Sequence, residues 1–340
     1  MGSFEQLAQP VDSGKWGAIL LFIGADLDYI CNEVGFPHFN GVQMCAHCGA
    51  TASGACPYND FGPDAAWRAT VKSNDELMAC MRRPLHPLAA HPFFNRLTFR
   101  YDMLHMFDHH GVTSQVVANV LWHHVSPDRE TSVLPGGNID ETIEFLNSEI
   151  AAWYKGRSVS RLPPLKQSNL KEANAFPELK GRGVKAANTR CIAPFVLALQ
   201  ERATAVVPTM KQRHMLKVVK ALSDIYNIIY SAPTFLLAAD HEKLRKACGM
   251  LAVQYQALQV DSFAAKEMLW KSTSKHHYVC AHLPWQATLI NPRTVQGYMS
   301  ESLVGAVCDI YKMSQSGPYH ARVQEVVLLK YRTGLFYLQQ

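Results

Sequence analysis

The pair Cys45-x-x-Cys48 constrains this chain more than any other feature. Two intervening residues let both thiolates reach one tetrahedral ion, and the pair lies in a turn-prone, glycine-flanked loop. Two thiolates are half of a zinc site, so two further ligands must come from elsewhere in the fold. Two histidine pairs share a suitable spacing: His86 with His91 in LHPLAAHPF, and His277 with His282 in KHHYVCAHLP. The first is close in sequence and held between prolines. The second would make the metal a clasp between distant segments, and spacing alone leaves both open. Free thiols and surface histidines are the plain alternative. A thioredoxin-like redox pair fits less well, because no strand-to-helix motif surrounds the cysteines.

Composition agrees with metal ligands rather than a disulfide framework. The nine cysteines are odd in number and scattered through 340 residues, of which 48 % are hydrophobic, enough to bury a substantial core as one large domain or two. No apolar run approaches the ~20 residues of a membrane-spanning helix. The opening MGSFEQLAQPVDSGKWGAILLFI lacks a basic start and a small-residue cleavage site, so the chain reads as intracellular.

The net charge of +5 is unevenly spread. Between Ala151 and Arg190 stand nine basic residues, opposed only by Glu172 and Glu178. The same stretch holds Pro163, Pro164, Pro177, Gly181 and Gly183, which break helices and predict a long, mobile connection. Such a segment is either a solvated linker or a loop that tracks a polyanion. In the second case Lys155, Arg157, Lys180, Arg182 and Lys185 are candidate DNA-backbone contacts, with sequence-tolerant affinity.

Residues 17–26 read as a buried strand ending at Asp26, since seven largely apolar residues run directly into the aspartates. The Pro-, Gly-, Cys- and His-rich stretch from Gly35 to Arg100 reads as loops with one short helix near Asn74–Met81. Residues 102–124 read as helix in two pieces, with Asp102 as an N-cap and Gly111 as the break. Further helices are predicted at 139–154, 191–206, 209–231, 233–258 and 261–272, then a short strand in HHYVCAHL and a helix carrying Glu301. The histidines at 105, 109, 110, 123 and 124 raise a weaker option, a transition-metal nuclease. There is no phosphate-cradling glycine loop, serine nucleophile elbow or HExxH helix.

Strand–Asp26, Cys45-x-x-Cys48, a long helical stretch, His277-x4-His282 and then Glu301 is an order that resembles the DDE transposases of the CACTA/Transib type. It also resembles the related catalytic subunit of the V(D)J recombinase. The phrase RYDMLHMFDHHG, with Asp102-Met103-Leu104-His105, is similar to the D-x-M-H phrase of CACTA-like transposases. The likeness spans residues 17–312.

The resemblance implies an α/β protein with a dominant helical part: an incomplete RNase H-like core interrupted by a large, mostly helical insertion with a zinc clasp. Residues 1–50 would hold the strand, the start of the core and the Cys pair. Residues 51–275 would hold the insertion, with the basic connection at 151–190, and residues 276–340 the His pair and the Glu-bearing helix. It implies structural Zn²⁺ on Cys45, Cys48, His277 and His282. It also implies catalytic Asp26 and Glu301 serving Mg²⁺ or Mn²⁺ in two-metal DNA cleavage and strand transfer.

The family's first catalytic aspartate stands on an opening strand that would have to fall within residues 1–16, where Asp12 lacks a strand pattern. The expectation is therefore a C-terminal, truncated or degenerate transposase part, inactive alone. Missing strands would come from a second copy or a partner chain. The protein would be nuclear, bound to DNA in recombination and without membrane contact. The alternative is a zinc-stabilised helical scaffold that binds nucleic acid or protein without catalysis.

Overall fold

A computed structural model of the protein describes residues 23–87, 89, 94–126 and 132–297. It is mostly helical, with one two-stranded parallel sheet. Strand β1 (Ile23–Ala25) pairs with β2 (Phe99–Tyr101) in the register Ile23↔Phe99, Gly24↔Arg100, Ala25↔Tyr101. A Cβ on Gly24 would stand 3.2 Å from Cβ of Val295, so glycine lets the returning chain pack closely against this strand. After β1 comes a single turn of helix, α1 (Leu27–Tyr29), which continues as a π turn over Ile30–Val34.

The loops between the strands contain α2 (Asn74–Ala79), closed by a capping box of Ser73 with Glu76. Beyond β2 a π turn over Leu104–Asp108 leads to α3 (Val112–Val125). Gly111 separates the two, and a Cβ there would overlap the Met106 carbonyl. Helix α3 is buried on nearly every side and forms the axis of the helical part. Around it stand α4 (Ile139–Tyr154), α5 (Gln167–Leu170), α6 (Ala186–Val206) and α7 (Met210–Ser231).

Local rules account for these helices. Asn138 accepts from the Glu141 amide at 3.0 Å, and Asp140 and Glu141 occupy the positive first turn of α4. In α7 the buried Met215, Val218, Val219, Leu222, Ile225, Tyr226 and Ile229 recur at three- and four-residue steps, and Thr209 caps the start. Helix α8 (Ala238–Ala264) runs antiparallel to α7: Lys211 near the start of α7 pairs with Glu267, just past the end of α8, at 3.3 Å. Two short helices, α9 (Ser274–His277) and α10 (Leu283–Gln286), close the described part and flank a π turn over Tyr278–His282.

Three expectations change. HHYVCAHL is helical, not a strand. The separate helices at 233–258 and 261–272 are instead one helix, α8, which stops where Lys266 turns left-handed (φ 57°) and the Glu267 amide bonds back to the Ser262 carbonyl at 2.8 Å. The basic connection is also anchored. Leu162, Leu165, Leu170 and Leu179 are buried in the main core, and the Leu179 amide donates to the Ser114 carbonyl at 3.1 Å. Each buried leucine contributes about 1.5–3 kcal/mol, which offsets the entropy of ordering a chain rich in Pro and Gly.

Candidate metal centre and strand-end carboxylates

Cys45 and Cys48 lie in a knuckle closed by the Gln43↔Thr51 bridge and by the Met44 amide donating to the Ala50 carbonyl at 3.3 Å. Both thiols are fully buried, as are His277 and His282. The four ligand atoms lie within 4.8 Å of one another. Cys45 Sγ is 3.2 Å from His282 Nε2, Cys48 Sγ is 3.4 Å from His277 Nε2, and the two Nε2 atoms are 3.3 Å apart. A tetrahedral zinc with ordinary Zn–S and Zn–N bonds has S···N edges of about 3.6 Å and N···N edges of about 3.3 Å. The donor set therefore fits zinc.

The π turn makes this geometry available. In an α-helix two residues five apart point about 140° away from each other. The wider turn over Tyr278–His282 brings His277 and His282 onto one side while keeping the backbone hydrogen-bonded.

Outer contacts hold the ligands. His277 Nδ1 donates to the Tyr58 carbonyl at 2.9 Å, which leaves Nε2 for a metal. Trp67 stands edge-on against the same ring at 4.9 Å. The His47 amide is 3.3 Å from Cys45 Sγ. The hydrogen bond from Cys45, with those of His277 and His282, holds the Cys48 thiol far below its usual range, whereas burial pushes the Cys45 thiol well above it. Burial pushes His282 down, toward the neutral imidazole that ligation requires. Of the alternative pair, His86 is outside the cluster and His91 is outside the described residues.

The Cys knuckle adjoins the sheet. Tyr101 of β2 packs on Tyr278 with ring centres 4.3 Å apart, and Gln286 of α10 donates to the Phe99 carbonyl at 3.2 Å. The strand ends then place two aspartates side by side. Asp26 follows Ala25, Asp102 follows Tyr101, and the Asp102 amide donates to the Ala25 carbonyl at 3.0 Å, extending the parallel register by one step. Asp26 Oδ1 caps α1 by accepting from the Tyr29 amide at 2.7 Å. Asp102 Oδ1 accepts from the Leu104 amide at 3.0 Å, and its Oδ2 lies 2.5 Å from His105 Nδ1.

Lys275 on α9 donates to the carbonyls of His109 and His110 at 3.0 and 2.8 Å. Burial holds it down at about 8, while Glu178, Asp26 and Asp102 pull upward. One short helix therefore carries both a candidate metal ligand, His277, and a buried lysine, Lys275, that senses Asp26 and Asp102.

The sequence reads Asp102 most simply as a helix cap and does not reveal that it stands beside Asp26. The available signal was FRYD, three strand-type residues ending in aspartate, a repeat of the IGAD pattern at Asp26. Asp28, just past β1, is exposed and accepts from Asn32 Nδ2 at 2.9 Å. Glu301 lies outside the described residues. His123 and His124 face a buried glutamine network with Gln212 and Gln200.

In the basic connection, Lys155, Arg157, Arg182 and Lys185 are exposed. Arg157 lies over the Trp153 ring at 4.0 Å, and Lys180 pairs with Glu172 at 3.2 Å. Among the described residues no helix is long and apolar enough to cross a membrane. No family model, curated protein or solved structure matches this chain.

Proposed function

We propose that the protein is transposase-derived and processes DNA at the strand-end pair Asp26 and Asp102, within an RNase H-like core whose helical insertion is clasped by zinc. The single observation that carries this reading is the parallel register, which sets two aspartates at adjacent strand ends. In this reading Asp26 keeps the place of the family's second aspartate, ahead of the Cys pair, and Asp102 is a further carboxylate beside it. Divalent cations of the Mg²⁺ or Mn²⁺ kind want oxygen ligands and, when bound, polarise the phosphodiester and clamp its attacking and leaving oxygens. The chain's own part is positional. Backbone amides fix both carboxylates. A nuclear location and DNA as partner follow from that substrate.

A second reading, a zinc-stabilised scaffold without chemistry, is favoured by one fact: both aspartates already serve as local caps, and Asp102 is held by His105. Plasmid nicking with Mg²⁺ or Mn²⁺ separates the two. The proposal expects nicking that is lost in both Asp26→Asn and Asp102→Asn, with the variants folded and zinc-loaded. Absence of nicking in the parent protein at any divalent-ion concentration would favour the scaffold.

A further inference from the structure

Away from the aspartates, α7 and α8 enclose a groove of about 540 Å³. Its rim carries Lys217 and Lys220 from α7 and Lys243 and Lys246 from α8, against the lone carboxylate of Asp224. Lys243 pairs with Asp240 at 3.1 Å and Lys246 with Glu242 at 3.6 Å, both at exposed sites where such pairs are weak. Among the described residues, neither Lys217 nor Lys220 has an ion-pair partner.

The floor is different in kind. It is made of Ala221, Ile228, Ala247 and Met250, and the Met250 side chain is 46 % exposed. An amphipathic helix ordinarily turns polar residues to water, yet α8 continues this outward face with Val253 and Val260, also exposed. Lysines set around an apolar, sulfur-containing floor suit a ligand that carries repeated anions and flat apolar faces together. A base pair inside a duplex hides its faces, whereas an unpaired base offers them. From Lys217 to Asn227 the groove follows α7 for about 15 Å, the length of about four stacked nucleotides at ~3.4 Å each. At the Asn227 end it adjoins a second hollow of about 270 Å³, whose lining includes Arg190 and Tyr230, adding a guanidinium at the far end of the track.

We infer that the α7–α8 groove binds single-stranded nucleic acid, with the four lysines on phosphates and Met250 and Ile228 against base faces. This inference rests on the nucleic-acid reading of the protein but not on catalysis. It is therefore tested without added divalent metal, so that loss of nicking and loss of strand binding are separate results.

The experiment is fluorescence anisotropy with a labelled 20-nucleotide single strand, the matching duplex, and polyglutamate as competitor. The parent protein, Lys220→Glu/Lys246→Glu and Met250→Asp are compared, with melting curves to confirm folding. The inference expects the single strand to bind more tightly than the duplex. The double lysine variant should weaken it at least tenfold and flatten the salt slope by about 1.4, two phosphate contacts at about 0.7 each. Met250→Asp should weaken the single strand more than the duplex. Unchanged affinity in the lysine variant, equal treatment of strand and duplex by Met250→Asp, or equally tight lysine-dependent binding of polyglutamate would each overturn it.

Discussion

Cys45 Sγ stands 3.2 Å from His282 Nε2 across 237 residues of chain. A metal at this point closes a loop that spans most of the described protein, and that loop closure is entropically costly in the unfolded chain. The clasp also fixes α9, and through Lys275 it reaches the turn that follows Asp102.

The purified protein should carry one zinc per chain. Cys48→Ser and His282→Ala should each abolish it and cost about 4–5 kcal/mol or more, since ligand loss is among the few single changes of that size. His86→Ala should keep its zinc. Elemental analysis beside thermal melting checks this, and zinc loss in the His86 variant with retention in the His282 variant would refute the assignment.

Acid should weaken the helical core through His123 and His124. Burial holds the first down at about 3 and the second at about 4, against 6.5 for the free side chain. Both folded values are depressed, so between pH 6.5 and about 4 the unfolded chain binds the extra protons. The stability these neutral histidines allow is complete above pH 6.5 and is lost as pH falls toward 4. In His124→Gln, which cannot titrate, the fall in stability from pH 7 to 4.5 should be smaller by about 2 kcal/mol. Urea melts at the two pH values measure it; parallel losses in both proteins would contradict the assignment.

Duplex DNA should bind the basic connection in a sequence-tolerant way. Replacing Lys180, Arg182 and Lys185 together with alanine should flatten the plot of log affinity against log salt by about two. The figure is two rather than three because Lys180 already pairs with Glu172 at 3.2 Å. A slope identical to the parent's would return the segment to an anchored surface loop.

Asn119 on α3 fixes the turn that follows α8. Its Oδ1 accepts from the amide of Trp270, a fully buried residue in the left-handed region at φ 53°, at 2.9 Å. Asn119→Leu leaves that buried amide without its acceptor and should cost about 1–3 kcal/mol. Chemical denaturation followed by tryptophan emission reads both the loss and any local exposure of the indole; an unchanged midpoint would show that the turn holds without Asn119.

Much of the helical part was legible from local pattern. The bounds of α4 follow from Asn138, Asp140 and Glu141, because capping and dipole effects act within one turn. The chemistry of Cys45 and Cys48 was equally local, since two-residue spacing is itself the geometric requirement. The choice between His86/His91 and His277/His282 was not legible. It depended on a π turn over Tyr278–His282, and a widened turn leaves no periodic trace in five residues. Nor was the neighbourhood of Asp26 and Asp102. Each aspartate ends a three-residue strand whose own pattern says nothing of its partner, and the register Ala25↔Tyr101 exists only because the intervening chain packs the two strands together. Residue type and local spacing determined what each side chain is able to do. Long-range packing, summed over the whole core, decided which of them meet.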